Sequence, residues 1–150
     1  MDQINDSGNG IDIQMNESVR VEWMILADYA EISNGKLYLM GGAWEFIRAE
    51  SFPFRKAVFL AAALRIPWNA TNEKHGFSFE VQDEDGGQMA RVEGEFETGR
   101  PPGIPYGQSQ HFPMVLNMGL EFPKAGTFSI IARVDGTIDR KTTFSVMAGR

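Results

Sequence analysis

Ala57-Val58-Phe59-Leu60-Ala61-Ala62-Ala63-Leu64-Arg65-Ile66 is the stretch on which the fold class turns. From Ala57 to Leu64 it is apolar on every side and rich in good helix formers, so a short buried helix and a central strand both fit it. Pro53 precedes it and Pro67 follows. A run of about ten residues makes a marginal helix, whereas a strand buried on both faces reads as a continuous apolar run. The strand is favoured. A helix there would make the protein α+β.

Upstream, Val21, Trp23, Ile25 and Ala27 share one parity and Met24 and Leu26 the other, a second strand with two apolar faces. Asn34-Gly35 is a strong turn signal, because both residues tolerate positive φ. Leu37 and Leu39 continue into a strand that breaks at Gly41-Gly42, and Trp44 to Ile47 forms a short third segment.

Downstream, Phe77, Phe79 and Val81 alternate with Ser78 and Glu80, and Asp83-Glu84-Asp85-Gly86-Gly87 turns the chain. Ala90, Val92 and Phe96 then alternate with Arg91, Glu93 and Glu95, giving a hairpin with one wet and one dry face. Residues Thr98 to Gln110 form a long loop, the kind that more often carries function than mere connection. Leu116, Met118 and Leu120 open the last section. Phe128, Ile130, Ala132 and Val134 follow, with Ile131 on the opposite, exposed parity; Asp135-Gly136 turns, and Phe144 and Val146 return. About eight strands at roughly ten-residue spacing predict an all-β, antiparallel, immunoglobulin-like sandwich. A barrel is the alternative.

The expected organisation is a flexible tail over 1–18 and one sandwich domain over 19–150. Within the tail, Ile11-Asp12-Ile13-Gln14-Met15 alternates and could add an edge strand here or to a neighbour. A chain of 150 residues with 43% hydrophobic residues and 17 aromatics (3 Trp, 3 Tyr, 11 Phe) can build a core without staples. The absence of cysteine excludes disulfides, thiolate zinc sites and thiol nucleophiles. A net charge of −6 with scattered basic residues argues against nucleic acid. The N-terminal residues carry neither the basic nor the apolar stretch of a secretory signal, and no apolar run reaches membrane-spanning length. A cytoplasmic protein without membrane partners is expected.

Several motifs along the chain stand out. They are Leu26-Ala27-Asp28-Tyr29-Ala30, Asn34-Gly35-Lys36-Leu37-Tyr38-Leu39-Met40-Gly41-Gly42-Ala43-Trp44, Phe52-Pro53 and Leu64-Arg65-Ile66-Pro67-Trp68-Asn69. Glu84-Asp85-Gly86, Gly99-Arg100-Pro101-Pro102-Gly103 and Phe122-Pro123-Lys124-Ala125-Gly126-Thr127-Phe128 continue the pattern. Together these motifs resemble a family of small bacterial proteins of unknown function, and the resemblance runs from about residue 21 to the C-terminus. It implies a bacterial or phage-borne source and a compact β-sandwich, and it brings no function. The closing segment with Val134-Asp135-Gly136 is also similar to the last hairpin of many immunoglobulin-like domains.

Catalytic equipment is sparse. His75 and His111 sit beside turn-like stretches without an acidic partner at metal-ligand spacing, and nucleophile-elbow, phosphate-loop and dinucleotide motifs are missing. No catalytic residue, metal or cofactor is expected. An enzyme would need one of these histidines to meet a carboxylate in a concave site. The Asp83-Glu84-Asp85 turn would need a second loop to supply the about six to eight oxygens of a Ca²⁺ site, and turn formation explains these residues more simply. Asp28 is either a turn cap or a buried, hydrogen-bonded group, with a cap or local bonding the favoured role.

Two loops remain as binding candidates. Trp68, Asn69 and Asn72 combine a large aromatic with amide donors, as in a sugar- or peptide-reading loop, although core packing is the favoured role for Trp68. Arg100 and Tyr106 are residue types enriched at interface hot spots. Arg100 could equally pin its loop to Glu95 or Glu97. The functional expectation is a non-catalytic protein-interaction or self-assembly module; the alternative is a small-ligand or glycan-binding module using loops at the end of the sandwich.

Overall fold

The computed structural model describes residues 18–149. The expected tail and its Ile11–Met15 segment lie outside them, apart from Ser18. The described residues form nine strands and one 3-10 turn. In chain order these are β1 (Arg20–Ser33), β2 (Lys36–Gly42), β3 (Phe46–Ala49), β4 (Phe54–Ile66), the turn Trp68–Ala70, β5 (Lys74–Gln82), β6 (Gln88–Glu97), β7 (Gln110–Phe122), β8 (Gly126–Val134) and β9 (Thr137–Ala148). A four-stranded sheet ordered β2-β1-β4-β7 packs on a five-stranded sheet ordered β3-β9-β8-β5-β6, and one of the two curls into a half-barrel. The protein is an all-β sandwich.

The deciding stretch is β4, a central strand. It runs antiparallel to β7 in unbroken register from Phe54↔Phe122 to Ile66↔Gln110, and its other edge takes β1. Val58, Leu60, Ala62, Leu64 and Ile66 are fully buried in the main core between the sheets. Ala61, of opposite parity, belongs to a second cluster with Ala27 and Ala30, against which Trp23, Leu37, Leu39, Phe59 and Val115 pack. Both faces of β4 are therefore covered over its middle, which is why Val58 to Leu64 carry no polar alternation. Burial of each leucine contributes about 1.5–3 kcal/mol.

The main core is completed by Phe79 and Val81 of β5, Ile130 and Ala132 of β8, and Phe144 and Val146 of β9. Phe122, Phe128 and Phe144 pack edge-to-face and stacked, with centroids 4.9–6.0 Å apart. The strand pairs are antiparallel except β3, which lies parallel to β9 from Phe46↔Ser145 to Ala49↔Ala148.

Two local expectations are corrected. Ile131 is 6% exposed, not exposed. It is paired across the sheet with Glu80 and Lys141, and a sheet of five strands lets long flanking side chains cover a central apolar one. Asp28 is neither a cap nor locally bonded: its carboxylate lies 3.6 Å from Lys56 Nζ.

Candidate functional site

Strand pairing brings the ends of β4, β6 and β8 and the starts of β5, β7 and β9 to one end of the sandwich. The two candidate loops meet there. Pro67 ends β4 in extended conformation, and its carbonyl accepts the Ala70 N–H at 3.0 Å to close the 3-10 turn. Thr71 Oγ1 donates back to the Trp68 carbonyl at 2.7 Å. Asn72 adopts φ 61°, a left-handed conformation that asparagine tolerates, and its N–H reaches the Thr98 carbonyl at 2.7 Å. The 98–109 loop carries two internal turns, Pro101–Ile104 and Pro105–Gln108, whose Gly103 and Gly107 take positive φ. Gln110 Nε2 holds its base through the Gly99 carbonyl at 2.8 Å.

Arg100 joins the loops. Its Nε donates to Thr71 Oγ1 at 2.6 Å and an Nη to the Trp68 carbonyl at 2.9 Å. Its guanidinium carbon sits 3.8 Å from the centre of the Trp68 ring. It pins its loop, but to the neighbouring loop rather than to Glu95 or Glu97, which pair with Gly76 and Lys74 across the β5–β6 ladder. The Tyr106 ring follows, 5.0 Å from Trp68 and 78% exposed. Trp68 is half-buried and lies outside the core clusters, so the favoured packing role gives way to a ledge: Arg100, Trp68, Tyr106. Asn69 is exposed on the same turn, and Asn72 serves the loop through its backbone. A ledge of this kind offers π surface, a planar charged group and a phenol to a partner.

Below it lies a cluster that sequence spacing does not reveal. His75, 7% exposed, directs Nδ1 to Asp135 Oδ2 at 2.9 Å and Nε2 to the Ala70 carbonyl at 2.7 Å. Asp135 Oδ1 accepts the Gly76 N–H at 2.9 Å. Both ring nitrogens are engaged by protein acceptors. Burial disfavours the charged ring, yet the Asp135 hydrogen bond, the Ala70 carbonyl and the charges of Asp135 and Glu73 outweigh it and raise the His75 pKa above 6.5. Burial likewise opposes the Asp135 carboxylate, but His75 and the Gly76 N–H bring its pKa below 3.8.

His111 meets a carboxylate as well, with Nδ1 2.9 Å from Glu22 Oε2. Glu22 is also held by Arg65 at 2.8 and 3.0 Å, and the Arg65 guanidinium lowers its pKa. At the opposite end of the sandwich, Asp83 Oδ1 accepts the N–H groups of Asp85 and Gly87, and Glu84 accepts that of Thr127. Asp83 shapes its own turn, and Glu84 ties that turn to the start of β8. Among the described residues no group of three or more potential metal ligands converges.

Two loops clasped by one arginine beside an exposed tyrosine give a β-sandwich with an aromatic ledge at one end. The chain belongs to a family of unknown function, DUF6941, whose model matches residues 22–147. No curated protein matches it. Among solved structures, a β-glucuronidase from glycoside hydrolase family 2 superposes with a TM-score of 0.43 at 12% identity, over 87% of this chain. The chain spans 11% of that enzyme.

Proposed function

We propose that the protein is a non-catalytic interaction module of the cytoplasm whose ledge engages a protein partner or a second copy of itself. The observation that carries this reading is the Arg100 guanidinium lying 3.8 Å over Trp68 with Tyr106, 78% exposed, beside it. Trp, Tyr and Arg are the residue types that dominate interface energetics, and here Arg100 is held by hydrogen bonds to Thr71 Oγ1 and the Trp68 carbonyl, with the Trp68 ring against it, before any partner arrives, which reduces the ordering cost of binding. The same contact disfavours the glycan alternative, because Arg100 covers one face of the indole that a sugar ring would stack on. The net charge of −6 weighs against nucleic acid as the partner.

The test uses full-length wild type and Tyr106→Ala as baits in extract of the source organism, with light scattering for self-association. Tyr106 is 78% exposed and lies outside the core clusters, so the variant keeps its fold, checked by near-ultraviolet circular dichroism. A partner or dimer held by wild type and lost with Tyr106→Ala supports the reading. Equal retention by both overturns it.

A further inference from the structure

We infer that His75 is a proton-operated latch that fixes the Trp68 turn, and with it the shape of the Arg100–Trp68–Tyr106 ledge. The inference deepens the reading of the ledge as a binding site and rests on it for its biological meaning, though not for its physics. The ring lies between two acceptors, the Ala70 carbonyl at 2.7 Å and the Asp135 carboxylate at 2.9 Å. An imidazolium donates to both. A neutral imidazole carries one N–H and one lone pair, so it satisfies one acceptor and turns a lone pair toward the other.

The groups around the ring come from four elements. Asp135 stands on the β8–β9 turn, Glu73 Oε2 reaches within 3.8 Å of Nε2 from the loop before β5, Ala70 presents its carbonyl from the 3-10 turn, and the Phe96 ring of β6 lies 5.5 Å away. Two carboxylates and a carbonyl face the ring, and the other neighbour is an aromatic. The low exposure of the ring, 7%, keeps water from substituting freely for a lost partner.

Ala70 is the point at which the proton state reaches the ledge. It lies between Trp68, whose carbonyl accepts from both Arg100 and Thr71, and Thr71, whose hydroxyl accepts from Arg100. When His75 loses its proton to solvent, the charge-assisted bond to Asp135 is the stronger one to keep. The lone pair of Nε2 then opposes the Ala70 carbonyl, and the turn that positions Arg100 and Trp68 must give way. The ledge is therefore held in its clasped form at lower pH and released as the pH rises through the His75 transition.

Two-dimensional NMR of the full chain tests this without a partner. The His75 ring is followed across the transition in wild type, and the Trp68 indole N–H in wild type and in His75→Gln, with the indoles assigned by substitution because Trp23 lies 6.1 Å from the second histidine, His111. The Trp68 signal shifts with the His75 midpoint in wild type and loses that dependence in His75→Gln. A Trp68 signal flat through the wild-type His75 titration overturns the latch, whatever the variant does. A partner dependent on Tyr106 binds about fivefold or more tightly below the transition than above it. If the NMR coupling is present but Tyr106→Ala binds the partner normally, the ledge reading fails while the latch stands.

Discussion

His75 Nδ1 and Asp135 Oδ2 lie 2.9 Å apart across sixty residues of sequence, and the second Asp135 oxygen accepts the backbone N–H of the very next residue, Gly76. The β8–β9 turn is thus bolted to the start of β5 through one carboxylate. Because His75 is raised and Asp135 lowered, their contributions have opposite acid–base limits. The His75 contribution is complete below pH 6.5 and lost as pH rises through its raised folded value; the Asp135 contribution is complete above pH 3.8 and lost as pH falls through its lowered one. Asp135→Asn removes the charge from both limbs. It costs about 1–2 kcal/mol near pH 6, discounted because the Asp135 side chain is half exposed. Urea unfolding followed across pH shows the wild-type stability declining above pH 6.5 and a flatter profile in the variant. An identical slope in both would refute the pairing.

Arg100 makes the loops one unit. Arg100→Lys keeps the charge but loses the planar fork that serves Thr71 Oγ1 and the Trp68 carbonyl together, so it behaves like Arg100→Ala. Either change costs little global stability, about 0.5–1 kcal/mol at this exposed position. The larger effect is local: amide exchange in the 98–109 and 68–71 segments rises together. If lysine restores wild-type protection, charge rather than geometry joins the loops.

How much of this was legible in the sequence depends on whether the signal is local. β5, β6 and β8 announce themselves because alternation is written within each strand, and β4 does so because its middle, Val58 to Leu64, is covered on both faces and carries no polar positions. The ledge residues were individually legible as Trp68, Arg100 and Tyr106, since their loops are marked by proline and glycine. That Arg100 reaches Thr71 and not Glu97 follows from loop geometry set by Asn72 and Thr98, which no spacing reveals. The His75–Asp135 and His111–Glu22 pairs, and the parallel β3–β9 pair, join distant segments that only the topology brings together. The burial of Ile131 likewise depends on its neighbours in space, Glu80 and Lys141.

Glu80 is a carboxylate 7% exposed on the outward parity of β5, opposite the core-facing Phe79 and Val81. Arg133 holds it at 2.7 Å and Arg91 stands 3.9 Å away; the Arg133 hydrogen bond brings its pKa below 4.5. Glu80→Ala leaves Arg133 without its partner and costs about 1–3 kcal/mol at neutral pH. The Glu80 contribution is complete above pH 4.5 and lost as pH falls through the lowered folded value, so the difference between variant and wild type shrinks in acid. A difference independent of pH would mean that packing, not the ion pair, is what Glu80 supplies.

Gly94 gives the sharpest test of the β5–β6 ladder. It pairs with Phe77 across the strands, and a Cβ at this position would lie 2.9 Å from Phe77 Cζ. The ring occupies the space that a side chain would need, and Phe77 packs in turn on Phe79 and Phe96 at 5.9 and 6.3 Å. By β-propensity alone Gly94→Val should stabilise the strand, by up to about 1 kcal/mol. Overpacking against an aromatic held on two sides costs about 1–3 kcal/mol, and that term wins. Gly94→Val therefore destabilises the protein in urea unfolding. In a Phe77→Ala background the clash is gone, and the same valine becomes neutral or stabilising. Additive single and double variants would show that the glycine is required for a reason other than the Phe77 ring.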